Sequence, residues 1–298
     1  MFKNVIVYRI GPAWSATLAD MEERLAATRF VACGPSQEKS LGWVEPRGVA
    51  QGPLVESVAG QLVLKMMVET RALPASVVNR KAEERVAQIE ASTGRKPGKK
   101  EMRDLKDDIR LTLLPMAFTK LASITVWIDR EARWLVIDAA SLSRAEEVVA
   151  ALVAVLDGFA ITLLNTQISP TAAMAQWLDT QEPPAGFSVD RECELKAADE
   201  SRAVVRYARH ALDTEEVRQH VATGKLPTRL ALTWEGRVSF VLTESLQLKK
   251  LAFLEGVFET SGAERADGFD TDTAIATGEL RKLLPDLLEA LGGEVVVG

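Results

Sequence analysis

The sequence predicts an α+β fold, built from mixed sheet domains with one projecting helical hairpin. Three observations lead there. Short apolar alternations bounded by turn residues are interspersed with stretches of helical periodicity. Two strand–turn–strand patterns surround Arg130-Glu131-Ala132 and Glu235-Gly236. Between Leu73 and Leu114 the composition turns polar and charge-rich, while apolar residues still recur at helical spacing.

The elements follow in order. Val5, Val7 and Ile10 read as an opening strand, and Leu18, Met21 and Leu25 place a helix over residues 15–28. Residues 61–69 form a second strand, and 121–129 with 133–139 the first hairpin. Ser143 with Glu146 has capping-box spacing and starts a helix over 143–156. In the charged insert, Val78, Ala82, Val86 and Ile89 mark a helix over 75–92. Met102, Leu105, Ile109 and Leu113 mark its partner over 100–113. Each has one narrow apolar stripe, enough to pair with the other but not to build a large core. After Ser169-Pro170 come a helix over 171–179 and a strand over 203–208. A helix then runs from the Asp213/Glu216 capping pattern to Gly224. The second hairpin joins 228–234 to 237–243, 246–254 adds a strand, and a leucine-rich helix over 272–291 ends at Gly292-Gly293. The chain thus divides into a sheet domain (1–73 and 114–168), a helical tip (74–113) and a second sheet unit (169–298).

Composition excludes several functions. The 298 residues include 36 Lys and Arg against 42 Asp and Glu, a formal charge of -6, so any nucleic-acid surface must be a segregated patch. Cys33 and Cys193 lack companions at metal-ligand spacing, which predicts free thiols and no metal. No secretion pattern and no membrane-length apolar run occurs, so the expectation is a cytoplasmic protein. His210 and His220 stand outside any nucleophile or zinc motif, and no phosphate loop is present. Asp267, Asp270 and Asp272 read as solvated loop and helix-start acids rather than a cation site. The expectation is a protein with no catalytic residues and no cofactor.

The basic residues are unevenly placed. Residues 80–110 hold ten bases against seven acids, and the turn carries Arg95, Lys96, Lys99 and Lys100 without an acid among them. Residues 201–212 hold Arg202, Arg206, Arg209 and His210, again with no acid, whereas 247–298 has ten acids against five bases. Residue physics alone leaves two readings open, solvated faces or anion-binding patches.

Ordered landmarks weight these readings. Phe2-Lys3-Asn4-Val5-Ile6-Val7-Tyr8-Arg9 is followed by Cys33-Gly34, Gly42-Trp43-Val44 and Leu114-Pro115-Met116-Ala117-Phe118. Trp127-Ile128-Asp129, Leu230-Ala231-Leu232-Thr233-Trp234, Thr277-Gly278-Glu279-Leu280 and Leu291-Gly292-Gly293-Glu294 complete the series. Together they resemble, end to end, the bacterial recombination-associated RdgC family. The resemblance implies a horseshoe-shaped subunit and a homodimer closed into a ring at tip and base. It implies a nucleoid-associated clamp on duplex DNA with little sequence preference, acting in DNA recombination by restraining a recombinase. Arg206, Arg209 and His210 fall in the family's basic stretch, and the turn residues Arg95, Lys96, Lys99 and Lys100 join them as expected DNA contacts. Phe118 matches the apolar dimer-interface residue, although a core position within its own subunit is the other reading. Met116 stands where family members can carry a base. An alternative function is a protein-interaction module acting on a recombination or replication factor.

Overall fold

The computed structural model describes residues 2–257 and 268–295. In chain order the elements are β1 (Val5–Ile10), α1 (Leu18–Ala26), β2 (Lys39–Val44), β3 (Val55–Val58), β4 (Gln61–Ala72), α2 (Ala75–Thr93) and α3 (Lys99–Leu113). Then follow β5 (Phe118–Asp129), β6 (Trp134–Asp138), α4 (Leu142–Val155), β7 (Ile161–Leu163), α5 (Pro170–Thr180), β8 (Phe187–Ala197) and β9 (Val204–Ala208). The chain closes with α6 (Glu215–Ala222), β10 (Lys225–Trp234), β11 (Val238–Thr243), β12 (Leu248–Phe253) and α7 (Gly268–Ala290). It is an α+β protein with a large antiparallel sheet. Where the sequence predicts a mixed sheet, successive strands return by hairpins or helical excursions, so neighbours run antiparallel. An isolated parallel bridge joins Arg29 and Trp43.

Two compact units share the chain: residues 1–24, 45–64 and 125–298 form the first, and 25–44 with 65–124 the second. In the first unit the strand order is β6-β1-β12-β11-β10-β8-β9, with β7 also pairing β1. The alternation of β8 to β12 puts Leu195, Leu230, Leu232, Phe240 and Leu242 on one face. Met174, Trp177 and Leu178 of α5, Val217 of α6 and Leu280, Leu283, Leu284 and Leu287 of α7 cover that face. Each of these leucines is fully buried, which stabilises the fold by roughly 1.5–3 kcal/mol apiece. The Glu235-Gly236 hairpin forms as expected: both residues take left-handed φ, 49° and 63°, as a tight hairpin turn demands.

The second unit has the order β2-β4-β5, with Trp43, Met66 and Val68 buried. Gly42 is dictated by sterics there. A Cβ at that position would lie 2.5 Å from Phe30 Cα, against backbone that cannot move aside. The paired helices α2 and α3 match the sequence expectation within about one residue at each end. Their shared core is thin, for α2 buries Val78 and Ala82 while no residue of α3 is fully buried.

Several local expectations need correcting. Helix α4 is capped by Ser141, whose side chain accepts the Arg144 N–H at 3.4 Å, so Ser143 lies inside the helix and makes no box with Glu146. Extended backbone at Ser141 fixes the start there. The Asp213/Glu216 box is likewise absent, because Thr214 occupies the cap position and Glu216 accepts the Tyr207 hydroxyl at 2.9 Å. Strands β2, β3, β7 and β8 have no counterpart among the predicted elements.

Candidate nucleic-acid interface

The sheet face of the first unit opposite its buried leucines is polar. On it, register aligns Arg206 of β9 with Glu194 of β8, Glu194 with Arg229 of β10, and Arg229 with Thr243 of β11. Arg206 Nε donates to Glu194 at 2.6 Å, and Thr228 Oγ1 donates to the other carboxylate oxygen at 2.8 Å. The Arg206 hydrogen bond, assisted by Thr228 and by the charges of Arg229 and Arg206, holds the Glu194 carboxyl below its usual range against the cost of partial burial. Beside the row lies a shallow depression of about 280 Å³ where Lys196, Arg229 and Lys249 meet Glu194 and Glu244. These three cations make no ion pair among the described residues and remain available to an anion.

Strand β9 stops at Ala208. Arg209 takes φ 56°, a left-handed conformation that breaks strand alternation. Arg206 and Arg209, three residues apart, are therefore not forced onto opposite faces. Arg209 is exposed and has no side-chain partner among the described residues. His210 is exposed, its N–H bonded to the Arg191 carbonyl at 3.1 Å and its Nδ1 2.6 Å from the Ala211 carbonyl. A carbonyl only accepts, so Nδ1 carries the proton in that contact.

The turn in the second unit is a built structure. Gly94 closes α2 with φ 72°, and α3 starts from Gly98. The Glu101 carboxylate accepts the Gly98 N–H at 2.8 Å and both Arg95 guanidinium nitrogens at 2.8 and 2.7 Å. Those contacts, Arg95 first, pull its pKa down to about 2. Arg95 thus clamps the turn, Lys96 sits a long 3.9 Å from Glu90, and Lys99 and Lys100 stand exposed without partners among the described residues. Because the folded pKa of Glu101 lies below its unfolded value, the clamp is fully present above about pH 4.5 and is lost as pH falls through about 2. The Glu101 carboxyl resonance is expected to titrate near pH 2 in the wild type and higher in Arg95→Gln, where only the Gly98 N–H still holds it down. An unchanged midpoint would remove the clamp.

Phe118 is not a core aromatic of its own subunit, being 87% exposed, and Met116 beside it is 71% exposed. Met116 and Phe118 form an exposed apolar ledge, and Leu111 and Leu121, each 58% exposed, are the next exposed apolar residues in sequence. Strand β5 pairs with β6 only from Val126 onward, well past Phe118. Arg71 supports the ledge from behind, donating to the carbonyls of Leu114, Ala117, Cys33 and Gly34.

Cys33 and Cys193 are free. Asp267 lies outside the described residues, while Asp270 pairs with Arg47 at 2.5 Å in the first turn of α7. Among the described residues no group of three or more His, Cys, Asp or Glu is placed to hold a metal ion, and no helix is long and apolar enough to cross a membrane. Sequence reasoning missed Lys196, Arg229 and Lys249. Each is a charged position in a period-two strand, and recognising β8 would have pointed to the row.

Comparison with known proteins gives one consistent result. A family model described as "Putative exonuclease, RdgC" matches residues 1–294. The recombination-associated protein RdgC of Dechloromonas aromatica is 48% identical over 99% of this chain and 98% of its own length. Those of Herminiimonas arsenicoxydans and Bordetella pertussis are each 42% identical over 98% of both chains. One description names a nuclease, the others an association with recombination.

Proposed function

Because the chain belongs to the RdgC family, whose named members are recombination-associated proteins, we propose that it binds double-stranded DNA without reading its sequence. A homodimeric ring encircles the duplex and restrains recombinase-mediated strand exchange. Each subunit is a horseshoe of sheet domain, helical tip and base, and the protein works on the nucleoid in the cytoplasm, by binding alone and without a cofactor.

The observation that carries this reading is the exposed basic row. Arg206, Arg229, Lys196 and Lys249 come from four strands onto one face, with Arg209 and His210 at its edge, although the chain as a whole is acidic. Cations spread over a sheet face suit phosphates, which position a duplex without specifying it. Lys99 and Lys100 supply further phosphate contacts from the tip. A second reading, docking of a recombination or replication factor with DNA contact secondary, draws on the apolar ledge at Phe118.

Fluorescence anisotropy on several unrelated duplexes tests the proposal. Arg209→Glu is expected to weaken binding to all of them alike, roughly tenfold, with folding and dimerisation intact. Unchanged affinity in both Arg209→Glu and Arg206→Glu would leave the face without a role in DNA binding. Shortening of an end-labelled duplex by the purified protein with magnesium would overturn the non-catalytic part.

A further inference from the structure

We infer that the turn after β1 and the turn joining β5 to β6 build a phosphate-binding pocket in the first unit, separate from the basic sheet face. The pocket, of about 260 Å³, is lined by Ile10, Trp14, Ser15, Ala16, Arg130 and Arg133. It lies at the Ile10 end of β1. The strand's pairing with β12 is at Val5, about 17 Å away at about 3.4 Å per residue.

Two guanidinium groups are fixed there without being neutralised. Arg133, at φ 55°, donates through Nε to the Ile10 carbonyl at 3.3 Å and through Nη2 to the carbonyls of Gly11 and Trp14. Arg130 Nη2 donates to the Ala16 carbonyl at 2.5 Å, and its guanidinium lies 6.0 Å from the Trp14 ring centre. Carbonyls orient these side chains but carry no net charge. Neither arginine has a carboxylate partner among the described residues. The acids nearest in sequence are engaged elsewhere: Asp129 and Glu131 reach Arg281 at 2.7 and 2.6 Å. Trp14, 5% exposed and edge-on to Phe159 at 4.8 Å, makes a rigid apolar wall.

Two uncompensated charges select the ligand class. A phosphate monoester carries about -1.5 to -2 near pH 7 and matches both, whereas a carboxylate matches one. The carbonyls take Nε and Nη2 of Arg133 and Nη2 of Arg130, which leaves Nη1 of Arg133 and Nε and Nη1 of Arg130 as donors for the phosphate oxygens. The volume lies below the roughly 300–1,000 Å³ of sites that enclose a larger ligand, so the pocket takes the phosphate group itself and leaves what it is attached to outside. That phosphate comes from a free nucleotide or from the end of a DNA strand. The inference stands independently of the DNA-encircling reading.

Calorimetric titration of the full chain with inorganic phosphate, at fixed ionic strength, provides the test. Saturable binding with Kd on the order of 1 mM is expected. Arg130→Gln should weaken it at least tenfold with an unchanged circular dichroism spectrum, and Arg206→Glu should leave it unaltered. Acetate should bind at least tenfold more weakly than phosphate. No saturable phosphate binding, equal binding in Arg130→Gln and Arg133→Lys, or equal acetate binding would overturn the assignment. Tighter binding of adenosine monophosphate would identify a free nucleotide as the source. A preference for 5′-phosphorylated over 5′-hydroxyl duplex, lost in Arg130→Gln, would identify a strand end.

Discussion

Raising monovalent salt from about 50 to about 200 mM is expected to weaken binding to a random-sequence duplex by roughly a thousandfold. The expectation follows from counterion release, in which the logarithm of affinity falls by about 0.9 per phosphate contact for each decade of salt. If three of the exposed cations Lys99, Lys100, Lys196, Arg209 and Arg229 meet phosphate in each subunit, a dimer makes about six contacts and the slope is about -5. Arg206 should count for less. Its guanidinium already donates to Glu194, whose lowered pKa keeps it charged at neutral pH, so a phosphate must compete for it. The net charge of -6 is no obstacle, since a duplex feels the face it touches. Anisotropy titrations at a series of salt concentrations read the slope directly. A shallow slope with preference for one sequence would sink the clamp.

Phe118→Ala is expected to shorten the lifetime of the protein on closed circular duplex about thirtyfold while leaving a dimer in solution. A ring side chain standing 87% exposed, with Met116 also exposed two residues away, costs little in the free subunit and gains most when a partner covers it. Removing an aromatic anchor at the centre of such a contact costs about 2 kcal/mol or more, or roughly thirtyfold. Two-fold symmetry gives a ring a second contact, at the base, which the substitution leaves alone. Sedimentation should therefore show dimers for both proteins, and washing experiments on circular DNA should separate them. A wild-type monomer at micromolar concentration, or equal lifetimes on the circle, would refute the ring.

What was legible in the sequence depended on which force sets each feature. Helices α2 and α3 were readable because both spacing and turn chemistry are local, from Val78 and Ala82 through Gly94 to Met102 and Leu105. Strand β8 was readable in principle: Phe187, Val189, Cys193, Leu195 and Ala197 alternate with Ser188, Asp190, Glu192, Glu194 and Lys196. Its charges, together with Arg191 on the apolar phase, obscured the pattern. The caps failed for a different reason. Ser141 and Ser143 are equivalent by propensity, and only the approach of the preceding chain decides between them. The basic site was half legible. Arg206 and Arg209 stood out as an acid-free run, but no sequence spacing announces that Arg229 lies across Glu194 from Arg206, because that neighbourhood is made by register. Arg95 was singled out for its charge, yet its geometry turns it inward on Glu101.

The position of β1 has a consequence for synthesis. This strand, made before both of its neighbours, sits between β6 and β12, pairing Val5 with Asp138 on one side and with Leu248 on the other. At about 5–20 residues per second the second partner emerges tens of seconds after the first strand. Through that interval the Val5 end of β1 presents unpaired amides and apolar side chains, a template for pairing with another nascent chain. Messages broken before the codons for β12 would yield chains with that edge permanently open. Such fragments are expected to aggregate, because the open edge is a ready template for another strand.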